Sequence, residues 1–133
     1  MGGKSDYLEN KILSHNLGRV LYTPPLTLYM ALFNTSPGDD GGGSEVGGTG
    51  YARVSISNAP SKWNGSDHER FNADEILFPS VGVGAWGTIV SFALMDAPSA
   101  GNMLYWGDLD EPVETEDGDT IKFDPGAITI TES

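Results

Sequence analysis

Residues 86–96 read WGTIVSFALMD, the longest apolar run in the chain and one without proline. Odd-even alternation puts Trp86, Val90, Phe92 and Leu94 on one side and Ile89, Ala93 and Met95 on the other, so both faces of the stretch are apolar. This pattern predicts a central strand covered on both sides. A buried helix of three turns is the competing reading of so short a run. The strand is favoured by Gly82, Gly84 and Gly87 before it and by Asp96-Ala97-Pro98 after it, which close the segment with turn chemistry.

Downstream, residues 102–109 (NMLYWGDL) are placed to pair with this strand through a turn at 97–101, a hairpin connection of ordinary length. Upstream, Thr23-Pro24-Pro25 breaks the chain and residues 26–34 (LTLYMALFN) read as a second strand, apolar on both faces. Residues 51–57 (YARVSIS) alternate, with Tyr51, Arg53, Ser55 and Ser57 on one face and Ala52, Val54 and Ile56 on the other, so one side meets a core and one meets water. Residues 58–74 are polar and turn-rich, with Trp63, His68 and Phe71 as isolated anchors, and residues 75–78 form a short strand stopped by Pro79. Residues 120–123 and 127–131 close the chain as two short strands around Asp124-Pro125-Gly126, with Ile128 and Ile130 facing in and Thr129 and Thr131 facing out. These elements predict an all-β fold, a β-sandwich of about eight short strands with the jelly roll among its arrangements, and one N-terminal helix. At 133 residues the chain reads as a single domain, 1–133, with an N-terminal helical segment at 1–18.

That helix covers residues 5–17, SDYLENKILSHNL, opened by Ser5 or Asp6 as cap with Glu9 in capping-box position and stopped by Gly18. Leu8, Ile12, Leu13 and Leu17 make a broad apolar stripe, suited to packing across a sheet end or to docking on a partner. Residues 35–50 are different in kind, with seven glycines, Asp39, Asp40 and a single apolar side chain besides Pro37, Val46. Such a segment buries too little to offset its ordering entropy, which predicts a mobile loop in the isolated subunit. Loops of this length in compact domains are functional or disordered.

Seven Lys and Arg against nineteen Asp and Glu give a net charge of −12, and the basic residues are spread over the whole chain. This opposes approach to nucleic acid and to anionic membrane, and it suits a protein surface with basic patches. No run of about 18 apolar residues and no charged-then-apolar leader is present, so neither a membrane span nor a secretory signal is expected and synthesis in a cytoplasm is. With no cysteine, disulfides and thiolate chemistry are excluded. His15 and His68 are the two imidazoles. His68 stands between Asp67 and Glu69, but adjacent residues do not face one another as a catalytic pair must. No phosphate-binding, nucleophile-elbow or zinc motif occurs, so no catalytic residue and no cofactor is expected. Residues 108–119 hold seven carboxylates and no cation, a composition that calcium could use, yet Pro112 breaks the ligand spacing of an EF-hand. A solvated acidic hairpin end, or an acidic face for a basic partner, is the plainer expectation, and no metal site is assigned. Trp63, Trp86 and Trp106 keep a carbohydrate-binding sandwich in view as a rival class.

The residues SDYLENKIL (5–13), TPPLTLYMALFN (23–34), DDGGGSEVGGTGYARVSI (39–56), the 86–96 strand with GNMLYWGDL after it, and GDTIKFDPGAITIT (118–131) together resemble a family of small tailed-phage virion proteins. Its members are named as head decoration (cement) proteins or as tail-fibre proteins. The resemblance implies a non-enzymatic structural role in the virion, and the leading expectation is a cement protein bound to the major capsid protein as a dimer or trimer. A tail-fibre or baseplate component is the alternative. The residues expected to contact neighbouring subunits are Asp39, Asp40, Gly41, Gly42, Gly43, Glu45 and Val46 in the loop, with Tyr7 and Leu8 in the N-terminal segment.

Overall fold

The computed structural model describes residues 2–132; Met1 and Ser133, the ends of the expected domain, lie outside the described residues. The elements in chain order are β1 (Gly2–Lys4), α1 (Asp6–Asn16), β2 (Thr27–Phe33), β3 (Val54–Ser57), β4 (Trp63–Asn64), β5 (Glu69–Asn72), β6 (Ile76–Leu77), β7 (Thr88–Met95), β8 (Met103–Glu114), β9 (Lys122–Phe123) and β10 (Thr129–Thr131), with one 3-10 turn at Pro60–Lys62. The main sheet has the order β1-β8-β7-β2-β3, and two smaller sheets run β10-β5-β4 and β6-β9. Every pairing is antiparallel. The fold is therefore all-β with one helix, its ten strands divided five, three and two where about eight were expected.

The 86–96 stretch holds the expected place. β7 lies in the middle of the main sheet, with Ala93 opposite Ala31 of β2 on one side and opposite Trp106 of β8 on the other. Both its faces are covered. Phe92 and Leu94 join the large core with Leu28, Met30 and Leu32, and that core is closed from the other side by Ile76, Phe78, Ile121 and Ile128 around the smaller sheets. Ala93 and Met95 face a second, smaller cluster with Ala31, Phe33 and Met103.

Ile89 departs from the alternation. It sits in the large core beside Phe92 and Leu94 rather than with Ala93 and Met95. The cause is a break in register: Ser91 lies opposite Asp108 but Ile89 lies opposite Val113, a step of two residues on β7 against five on β8. A bulge re-aims the side chains on one side of it relative to those on the other, and period-two counting cannot cross it. The same break lets β8 run on to Glu114, so the first half of the acidic stretch is strand and not a hairpin end.

The helix is capped by Ser5, whose Oγ accepts from the Leu8 backbone N–H at 3.1 Å and donates to the Met103 carbonyl. Its expected broad stripe is narrower in fact, because Leu8 is buried while Leu13 and Leu17 stand exposed. Tyr51 is also relocated. Residues 51–53 precede the pleat of β3, and the Tyr51 ring lies edge-on to Trp86 at 5.4 Å instead of facing water. The polar stretch 58–74 contains two strands that its composition hides, and buried Asn72 ties the second of them to the turn before β10. Its Nδ2 donates to the Asp74 and Asp124 carbonyls at 2.8 and 3.0 Å, and its Oδ1 accepts from Ile128 N–H at 2.9 Å. No helix among the described residues is long and apolar enough to cross a membrane.

Candidate interaction surfaces

The glycine-rich segment leaves β2 at Phe33 and folds straight back on it. Glu45 bridges to Phe33, Val46 N–H donates to the Leu32 carbonyl at 2.9 Å, and Asn34 N–H donates to the Ser44 carbonyl at 2.8 Å. Turns fill the span between, with Gly42 N–H donating to the Pro37 carbonyl at 2.8 Å and to Asp40 Oδ1 at 2.9 Å. Glycine is required at Gly43 for space: a Cβ there would stand 2.3 Å from the Thr35 carbonyl oxygen. Composition predicts mobility, but the sequence did not reveal these polar anchors.

Glu45 is the centre of the firmest anchor. Its carboxylate receives the Arg53 guanidinium in a fork, Nε to Oε2 and Nη2 to Oε1, both at 2.8 Å, and accepts from Tyr51 Oη at 2.6 Å. Arg53 Nη1 reaches onward to the Ala97 and Ala100 carbonyls at 2.7 and 2.9 Å, so one guanidinium joins the loop to the β7–β8 turn. Tyr51 Oη in turn accepts from Leu32 N–H at 3.0 Å. Burial pushes the Glu45 carboxyl up, but the hydrogen bonds from Arg53 and Tyr51 outweigh it and hold the group below its ordinary value. Burial, reinforced by the bond to Glu45, raises the Tyr51 phenol.

The two segments expected to make contacts meet in space. Asp6 N–H donates to the Asp39 carbonyl at 2.8 Å, and Asp39 Oδ1 accepts from Trp106 Nε1 at 2.8 Å. Asp6, Tyr7, Asp39, Asp40 and Gly41 then line one shallow cavity of about 210 Å³ over Met95 and Met103, so the loop tip and the helix start together roof the second apolar cluster. Of the expected contact residues, Asp39, Asp40, Gly41 and Gly42 are exposed, Gly43, Glu45 and Tyr7 are half-buried, and Val46 and Leu8 are buried in the chain's own core.

The three tryptophans separate. Trp86 is buried and donates to the Thr49 carbonyl at 2.8 Å, and Trp106 is held by Asp39. Trp63 lines a cleft of about 520 Å³ with Arg70, Leu94 and Tyr105. Among the described residues, no three His, Asp or Glu side chains converge as a metal site would need. An apolar shoulder lies at the end of α1 and in the segment after it, where Leu13, Leu17, Val20, Leu21 and Leu26 are all exposed; the sequence points to Leu13 and Leu17 as part of a stripe but assigns no role to Val20 and Leu21. A Leu-rich linker between a helix and a Pro-Pro break was the available signal.

The chain is thus an all-β domain with a roofed loop–helix joint and an exposed apolar shoulder. A family model described as podophage GP4 fiber I protein gp80 matches residues 3–131. The chain belongs to that family, and with it to the structural proteins of the phage virion. A search of curated proteins gives no match.

Proposed function

We propose that the chain is a non-enzymatic structural subunit of a podophage fibre. The observation that carries this reading is the family match, which spans residues 3–131 and is described as a fibre protein. The geometry suits the task, because the loop is pinned to the sheet by Glu45 and Arg53 and so offers a preformed surface at its tip. Capsid decoration is the second reading. It is supported by the acidic joint at Asp6 and Asp40, which fits a basic patch on a major capsid protein, and by the net charge of −12.

Electron microscopy of virions carrying a gold-labelled tag on this protein separates the two. Label on the tail supports the fibre; label distributed over the head faces moves the protein to the shell. A second measurement is independent of the tag. Particles whose copy lacks residues 39–48 keep the thermal stability of the head and lose adsorption if the protein is a fibre, and release DNA at lower temperature if it is a cement protein.

A further inference from the structure

We propose that the chain associates with a second copy of itself head to tail, the apolar shoulder of residues 11–26 on one copy seating in an acidic-rimmed groove along β8 of the next. Leu13, Leu17, Val20, Leu21 and Leu26 are 60, 75, 57, 83 and 87% exposed, a concentration of large apolar side chains that marks a contact surface. The linker is folded against the helix and does not trail away from it. Tyr22 N–H donates to His15 Nδ1 at 3.0 Å, and Arg19 N–H donates to the Ser14 carbonyl at 2.9 Å.

Charge selects the occupant. Lys4, Arg53, Lys62 and Lys122 are engaged in ion pairs within the chain, and Arg70 donates to the Asp67 and Glu69 carbonyls. Lys11 and Arg19 have no ion pair among the described residues, and both lie on the shoulder, where residues 11–26 include no carboxylate. The complementary surface is on the same chain. A groove of about 440 Å³ runs beside β8, with Phe92, Leu109, Phe123 and Ile130 in its wall and Asp110 and Glu111 among its lining residues. Both carboxylates are exposed and form no ion pair among the described residues. Leucines flanked by two cations with no carboxylate partner among the described residues, Lys11 lying 5.5 Å over the Tyr7 ring, thus match an apolar groove flanked by two carboxylates with no cation partner among them. The two copies each carry a net charge of −12, so the local match has to work against an overall repulsion that salt screens.

Shoulder and groove are different surfaces, so the contact is heterologous. Each copy keeps one of each for a further neighbour, which builds a ring if the rotation closes and a filament if it does not. The inference holds wherever in the virion the protein resides.

Sedimentation velocity on the full chain tests it, with a shoulder variant (Leu17→Asp with Leu21→Asp) and a groove variant (Asp110→Lys with Glu111→Lys). All four positions are surface sites, and circular dichroism verifies that the variants fold. The wild type is expected to self-associate, less so at high salt, while each variant alone stays monomeric. Mixing the two variants restores one intact contact and yields a 1:1 heterodimer that grows no further. Should the shoulder variant fail to fold, Lys11→Glu with Arg19→Glu replaces it, and combining that change with the groove charge reversal in one chain restores association. A wild type that remains monomeric, association indifferent to either variant, or a mixture that stays monomeric overturns the proposal.

Discussion

Glu45→Ala isolates the anchor of the glycine-rich loop. Arg53 has a side chain only 5% exposed, and Glu45, at 27%, is its one carboxylate partner among the described residues. Removing that partner leaves a desolvated guanidinium with its two carbonyl contacts and strips Tyr51 Oη of its acceptor. A fully buried pair broken on one side costs about 3–5 kcal/mol and an exposed one below about 1, so a pair of intermediate exposure should cost about 2–3 kcal/mol. At roughly 3–5 °C per kcal/mol for a domain of this size, the melting temperature falls by about 6–15 °C. Urea unfolding followed by tryptophan fluorescence gives the free energy directly. Glu45→Gln keeps the shape and should cost about half as much. The pH dependence supplies a second check. Because the folded pKa of Glu45 is lowered, its stabilisation is complete above the ordinary glutamate range and is lost as pH falls through the folded value. The acid limb of stability should therefore flatten in Glu45→Gln. A loss below about 0.5 kcal/mol in Glu45→Ala, with an unchanged acid limb, refutes the anchor.

Three other outcomes are expected. Phe92→Ala removes a ring that is 5% exposed and packed against Gly107, and should cost about 3–5 kcal/mol by urea unfolding; under about 1 would mean β7 is not covered. Gly43→Ala drives a Cβ into the backbone of residues 35–37 and should cost about 1–3 kcal/mol, whereas Gly47→Ala, with open space around it, should cost far less. Burial, then the neighbouring Glu132, pushes the Tyr105 phenol up to about 12 from 10.0, so stability from its neutral form is held below pH 10.0 and lost as pH rises toward about 12. Ultraviolet titration of Tyr105→Phe against wild type should remove one late-ionising phenol.

The strands legible in the sequence were those whose apolar residues continue through the pleat: 26–34, 86–96, 102–109 and the terminal pair all lie where periodicity put them. The failures share a cause. Ile89 lies on the far side of a bulge from Ser91, Tyr51 precedes a strand, and β5 is held by Asn72 and not by an apolar pattern, so in each the deciding interaction is with residues far along the chain. The same limit applied to the candidate surfaces. Composition marked residues 35–50 as unusual, but pairing Glu45 with Arg53 and bringing Asp39 to Asp6 required the fold. The stripe of α1 was left open between packing and docking because an apolar helical face looks alike whether it is covered or bare, and Leu8 proves covered while Leu13 and Leu17 are bare.

The pairing of β1 with β8 has a kinetic consequence. Gly2 lies opposite Gly107, and Ser5 N–H donates to the Leu104 carbonyl, so these early residues are completed only by residues far along the chain. β5 likewise waits for β10. Closing loops of this length before any contact rewards them slows folding, and such a topology belongs with the slow, non-local class. While β8 is still being made, β1 cannot dock and Leu8 lacks much of its cover. Until then the side chain that ends up buried at Leu8 stays in the open, and crowded copies made together can meet there before each has closed on itself.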